Sequence, residues 1–296
     1  MEQHDISASD RRTLSRAERT RRRCQRKLRR AFFSRAGALT PYLAVESHEA
    51  FFFVATDDLG VGQRLFANRT RGDMKHLRTG MSLLEELGVR TIGSTFVDVG
   101  ANIGTTTVTA LRQHGFAHAV ALEPAPSNFF LLRINLVANE VESDVTALQV
   151  AVTDKEGDEQ LALSPASSGS HVLTPVAPEN AASAVAVQAV TLDGLAARGT
   201  IDPARVGLLW IDAAGHEIEA LAGASALVDA GVPLIVALRT GTESWQAKKE
   251  SLRQLLTGYT HFAKLRGHPR LRNDLDAVLD SIKRSSTDLL AARHPR

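Results

Sequence analysis

Cysteine is almost absent. Cys24 stands alone among 296 residues, so no intrachain disulfide forms and the chain suits a reducing compartment. Aromatics make up only 5%. A core must therefore come from Ala, Val and Leu, as in α/β proteins with buried parallel strands. No apolar run approaches the roughly 20 residues of a membrane-spanning helix; the purest stretches, 51–55 and 232–238, are short. No apolar segment of signal-peptide length follows the basic N-terminus, and the expectation is a soluble cytoplasmic protein. With 21 Gly and 10 Pro, collagenous and globally disordered chains are excluded.

What is present is a 44% apolar chain, enough for one large domain with appendages. Its charge is uneven. Residues 1–36 hold 12 Lys/Arg and 4 Asp/Glu, a charge of +8, whereas the rest hold 23 and 29, a charge of −6. The high pI describes an arm, and the body is mildly acidic. Residues 1–9 read as disordered, and Ser9 or Asp10 is expected to cap a basic helix that Gly37 stops. That helix can pack on the body as a solvated face, meet an anionic lipid surface or a partner, or serve as a nucleic-acid arm.

Residues 41–56 read as a hairpin turning at 47–49. A helix over 73–87, with Met74, Leu77, Met81, Leu84 and Leu87 on one face, ends at Gly88. Strand and helix signals then alternate: strand 95–99, helix 105–114, strand 119–123, helix 127–139 with Phe130, Ile134 and Val137 inward, strand 145–152. Residues 154–184 interrupt as turns and loops, with 175–184 mobile. Strands 185–190, 208–212 and 232–238 follow, then helices after Glu217 and over 244–256 and 273–283. Such alternation specifies a doubly wound α/β sheet with right-handed crossovers. The expected organisation is a basic arm over 1–40, a hairpin-and-helix segment over 41–94 packing on the core, and a main domain over 95–292.

The chemistry concentrates at Phe96-Val97-Asp98-Val99-Gly100-Ala101-Asn102-Ile103-Gly104. A buried strand carries Asp98 near its end, and Thr105 opens the next helix. Ligands of open parallel sheets bind outside the carboxyl ends of strands, and glycine there admits close backbone approach. Asn102 stands where a dinucleotide site has its middle glycine, which disfavours NAD. No Gly-Lys-Ser/Thr follows, so a Walker loop is excluded. Glu123, before Pro124 at the next strand end, lies near the spacing at which an acidic residue accepts from ribose hydroxyls. Asp154 at the third strand end is a candidate adenine contact or plain turn chemistry. The fourth strand ends in Asp212-Ala213-Ala214-Gly215-His216-Glu217, which should face Asp98 across the switch point. His114 and His118, four apart but with no third ligand, read as a surface loop and not a metal site.

Together, Val97 to Gly104, Leu122-Glu123-Pro124, Thr191-Leu192-Asp193, Ile211 to Glu217 and Thr287-Asp288-Leu289-Leu290 resemble the FkbM-type methyltransferases, over about residues 50–292. The resemblance implies a Rossmann-like, seven-stranded class I sheet, S-adenosylmethionine as methyl donor, and O-methylation of a hydroxyl on a sugar or natural product. It implies that Asp98, Gly100, Asn102, Gly104 and Glu123 hold the cofactor, and that Asp212, His216 and Glu217 face the acceptor; Thr105, Pro124 and Asp154 are further cofactor candidates by their positions. The chain departs from that pattern at Ala213-Ala214, where Val-Gln is usual, and at Ala237-Leu238-Arg239, where a glutamate is usual. Arg239 would then select an anionic or polyhydroxylated acceptor.

Methyl transfer asks the protein to position an oxygen and remove its proton. His216, with an ordinary imidazole, is the first candidate base and Asp212 the second. The acceptor is expected to be a small molecule or glycan, with nucleic acid disfavoured, peripheral contact of the basic arm allowed, and a homodimer left open. Two rivals stand. One is an RNA methyltransferase using the arginine arm. The other is a non-catalytic cofactor-binding partner protein.

Overall fold

A computed structural model describes residues 15–47, 50–164, 167–174, 184–239, 245–282 and 286–294. The basic helix is α1 (Arg16–Ala36). Its cap is Ser15, whose hydroxyl accepts from the Glu18 N–H at 3.2 Å while the Glu18 carboxylate accepts from the Ser15 N–H at 2.8 Å. That reciprocal box fixes the start; Ser9 and Asp10 lie outside the described residues. Only Phe33 and Ala36 of α1 are buried. Phe33 and Phe32 both pack on Phe66, with centroids 5.5 and 5.9 Å away.

The hairpin is β1 (Tyr42–Ser47) and β2 (Ala50–Ala55), antiparallel throughout. Two of the three expected turn residues, 48 and 49, lie outside the described set. A helix that the sequence reading missed, α2 (Val61–Asn68), follows because the Asp58 carboxylate accepts from the N–H groups of Gly60, Val61 and Gly62. Then comes α3 (Gly72–Glu86), closed by Gly88 N–H to Glu85 O and Val89 N–H to Leu84 O.

The alternating part runs β3 (Thr95–Val99), α4 (Thr105–His114), β4 (His118–Leu122), α5 (Pro126–Ala138) and β5 (Val145–Leu148). An excursion follows through β6 (Ala151–Val152), β7 (Gly157–Ala162), β8 (Val172–Thr174) and β9 (Ala184–Val190). After it come α6 (Leu192–Ala197), β10 (Val206–Ile211), α7 (Glu217–Ala222), α8 (Ser225–Asp229) and β11 (Leu234–Leu238). The chain ends with α9 (Trp245–Leu255), β12 (His261–Lys264), α10 (Leu275–Asp280) and β13 (Thr287–Ala292).

Seven strands form the main sheet in the order β12-β13-β11-β10-β3-β4-β5. The pairs from β11 through β5 are parallel, and β13 is antiparallel to both its neighbours. The order reverses between β3 and β10, so a crevice opens there at the carboxyl ends. Period-two alternation sends Val97, Val99, Leu209 and Ile211 to one face and Phe96, Leu208 and Trp210 to the other. Both faces are apolar because helices cover both. Among the described residues no helix is long and apolar enough to cross a membrane.

Two expectations are corrected. The segment 145–152 is not one strand: β5 joins the main sheet, and β6 pairs with β9 in a separate four-stranded sheet of order β6-β9-β7-β8. The inward face of α5 is also different. Phe130 and Val137 are about half exposed, and Leu131, Leu132, Asn135 and Leu136 are buried. The polar members have a reason. Asn135 and Asn139 exchange paired amide hydrogen bonds with the backbone of Phe53 and Phe51. These side chains saturate the free edge of β2, which would otherwise be buried unpaired.

Candidate functional site

The crevice holds a cavity of about 520 Å³, within the range of small-molecule sites. Its floor is the turn from β3 to α4. Gly100, Asn102 and Gly104 all take left-handed backbone, with φ of 80°, 53° and 86°. Gly100 is required by packing: a Cβ there would stand 2.1 Å from the Asp212 carbonyl oxygen. At Gly104 a Cβ would stand 2.7 Å from Leu132 Cδ1. The glycines thus let neighbouring chain close on the turn, a use distinct from close approach to a ligand. Gly100, Asn102 and Thr105 line the cavity; Gly104 does not.

Glu123 and Pro124 line the same cavity from the end of β4. Glu123 Oε2 accepts from the Asn102 N–H at 2.8 Å. Its Oε1 accepts from the Ala125 N–H at 2.9 Å and the Asn128 amide at 3.2 Å. Burial pushes the Glu123 carboxyl up to about 7 against those hydrogen bonds. Asn102 donates its amide to Ser168 O at 3.0 Å, so its side chain ties down the segment 167–171 that roofs the cavity. Asn128 donates to the same oxygen, and the Ser168 hydroxyl donates to Asp58 at 2.6 Å.

Asp98 stands behind the wall. It is wholly buried and lies outside the cavity lining. Its Oδ2 accepts from the Thr106 and Thr107 hydroxyls, both at 2.6 Å, which anchors the first turn of α4. Its Oδ1 is buried without a partner among the described residues, and burial pushes the carboxyl up to about 6. Asp154 is exposed and, among the described residues, accepts from the adjacent Thr153 hydroxyl. It lies outside the cavity lining, to which the split after β5 carries Val150, Ala151 and Val152.

The three acceptor-side residues separate. Asp212 lines the cavity at the end of β10. Burial pushes its carboxyl up to about 7, aided by the negative charge of Asp288 and opposed by Arg71. His216 and Glu217 lie outside the cavity lining. Ala214 and Gly215, with φ of 49° and 111°, turn the chain before them. His216 caps α7, and Glu217 accepts from the Gly215 N–H at 2.7 Å with Lys248 3.8 Å from its other oxygen. Of the two candidate bases, Asp212 therefore lies at the cavity and His216 does not. Arg239 does reach the cavity, where it donates to Gly169 O at 3.3 Å.

Sequence reasoning missed a whole wall: Arg64 from α2, Arg71 and Asp73 from the start of α3, and the roof at 167–171. No local motif marks these positions. Among the described residues no three His, Cys, Asp or Glu side chains gather as a metal site.

The three raised carboxyls make the folded chain bind protons more tightly than the unfolded one. Their stabilising contribution is complete below their ordinary values of 3.8 to 4.5 and is lost as pH rises through about 6 to 7. Asp98→Asn mimics the protonated form. Its Tm relative to wild type is expected to become more favourable from mildly acidic to alkaline pH; a constant difference would refute the coupling.

A model described as the methyltransferase FkbM domain matches residues 98–263. Methyltransferase sdnD of Sordaria araneosa is 37% identical over 79 residues, covering 27% of this chain and 30% of that protein. The match thus spans under a third of that relative's length. Among solved structures, an S-adenosylmethionine-dependent methyltransferase from Agrobacterium tumefaciens is similar at TM-score 0.44 and 10% identity, over 87% of this chain and 71% of that one. The Methanobacterium thermoautotrophicum precorrin 8w decarboxylase is similar at TM-score 0.38 and 16% identity, over 72% and 88%.

Proposed function

The chain belongs to the FkbM methyltransferase family, and from that premise we propose that it O-methylates a hydroxyl of a sugar or other small natural product, using S-adenosylmethionine, with Asp212 as base. One observation carries the reading. Glu123 and Asp212, on the two strands that flank β3, line a single cavity across the Gly100 turn.

The cavity fits the cofactor by its donor set. Glu123 is fixed by three donors, two on Oε1 and one on Oε2, which leaves an acceptor site on Oε2 for a ribose hydroxyl. Val150, Val152, Leu161 and Leu173 give an apolar slot beside it, suited to a purine face. When bound, S-adenosylmethionine supplies a methyl group on a sulfonium, with a neutral thioether as leaving group.

The protein's part is positioning and proton removal. Asp212 accepts the acceptor's hydroxyl proton as the new oxygen–carbon bond forms and the sulfur–carbon bond breaks. A carboxyl raised to about 7 holds that proton well at neutral pH and is still ionised often enough to take it. Arg64 and Arg239 stand at the exposed side of the cavity, where a guanidinium fork suits polyhydroxylated or anionic groups.

The test is incubation with methyl-labelled S-adenosylmethionine and a panel of sugars and hydroxylated natural products, following S-adenosylhomocysteine release and the labelled atom. Label on oxygen supports the reading; label only on nitrogen or carbon overturns it. The exposed arginine helix favours one second reading, an RNA acceptor. Label appearing in RNA, with binding that collapses steeply as salt rises, would establish that alternative.

A further inference from the structure

Arg71 is the cavity group that the proposed reaction leaves unused. It immediately precedes α3 and lines the cavity with Asp73 and Thr105. Its Nη2 lies 2.8 Å from Asp73 Oδ2, with the two side chains only 16% and 11% exposed. Asp73 is held in turn by the Thr105 hydroxyl at 3.3 Å and the Met74 N–H at 2.9 Å. The guanidinium is therefore fixed in place. Its Nη1, however, is buried and without a hydrogen-bond partner among the described residues. A buried cationic donor left unpaired is costly, and such sites are retained when a ligand completes them.

A guanidinium has two prongs, and its geometry matches a carboxylate. Here Asp73 occupies one prong, Nη1 is left unpaired, and the side chain as a whole lines the cavity. We propose that Arg71 seats the carboxylate of the cofactor's methionine moiety; the assignment rests on the cofactor reading above. The position favours the cofactor over the acceptor as the source of that carboxylate. Arg71 shares its wall with Thr105 and Gly100, on the α4 side of the turn that Glu123 grips from the other side. A molecule with its ribose on Glu123 and its tail across Gly100 ends at Arg71. Asp73, beside it, offers an acceptor for the adjoining ammonium group.

The experiment compares wild type, Arg71→Gln and Arg71→Lys by equilibrium dialysis against S-adenosylmethionine and its decarboxylated form, which differ by that carboxylate alone. Wild type should prefer the carboxylate-bearing ligand. Arg71→Gln should weaken S-adenosylmethionine by roughly 10- to 100-fold, as loss of a charge-assisted pair does. It should leave the decarboxylated ligand nearly unchanged, and Arg71→Lys should fall between. A variant that merely unfolds loses both ligands equally, so the ratio within each protein is the readout. Wild type binding both ligands equally well overturns the seat without any variant. A ratio unchanged in Arg71→Gln overturns it too. Wild type binding neither ligand overturns the cofactor reading itself, and the seat with it.

Discussion

Asp212→Asn is expected to lower kcat by about 10²- to 10⁴-fold, the usual contribution of a positioned base, while the Kd for S-adenosylmethionine stays near wild type. Asparagine keeps the shape of the side chain and the environment of β10, but it cannot take a proton. Wild-type kcat should rise with pH through about 7 and then level, because the base must be ionised and burial has pushed Asp212 up to about that value. Asp288→Asn should move that profile to lower pH, since it removes the nearest like charge that raises Asp212. Asp288 is itself paired with His76, so His76 belongs in the same series as a control. His216→Ala should retain most of the turnover, because His216, at the N-cap position of α7, lies outside the cavity lining. Full turnover in Asp212→Asn together with a collapse in His216→Ala would return the base to His216.

The difference between those two residues illustrates how far a sequence could be read. The run from Thr95 to His114 was legible nearly to the residue, because an apolar strand, spaced glycines and a helix opening in threonines all agree locally. The cluster Asp212 to Glu217 was legible as a strand end facing the crevice, but not in which of its members reach the cavity. Spacing along the chain does not show that Ala214 and Gly215 turn the backbone and carry His216 and Glu217 out of the cavity. Asp98 and Gly104 belong to the recognised motif, yet they act on α4 and α5 from behind the wall. The helix α2 escaped because its cap, Asp58, stands before a glycine N-cap and its apolar stripe is only eight residues long. Around α5, hydrophobic periodicity could not reveal that Asn135 and Asn139 join the buried face, since their partner is the edge of a hairpin some 80 residues earlier in the chain, 82 and 88 residues for the bonds concerned. The far cavity wall has the same cause. Arg71 and Ser168 reach the cavity only through the tertiary fold, and Ser168 is held by Asp58, 110 residues away in the chain.

Glu123→Ala is expected to weaken cofactor binding and the fold as well, because this one carboxylate serves both. Its oxygens satisfy the N–H groups of Asn102 and Ala125 and the Asn128 amide. Removing it strands those buried donors at about 1–3 kcal/mol each, a visible loss of Tm. The Asn102 turn, left-handed at φ 53°, then loses the contact that holds it at the cavity floor. A hydrogen bond from a ribose hydroxyl to a charged acceptor is lost at the same time, worth about 1.5–3 kcal/mol. Affinity for S-adenosylmethionine should therefore drop by roughly 10- to 100-fold. Glu123→Gln separates the two duties. It keeps one acceptor oxygen and the side-chain volume, so much of the stability should return, but it cannot accept at both positions. The pH dependence gives a second, independent readout. In wild type, cofactor affinity should strengthen as pH rises through about 7, since the ionised Glu123 is the stronger acceptor for a ribose hydroxyl. In Glu123→Gln that dependence should flatten. Equilibrium dialysis on either side of neutrality measures both quantities. Wild-type affinity in Glu123→Ala, or an unchanged pH profile in Glu123→Gln, would mean that the ribose sits elsewhere in the cavity.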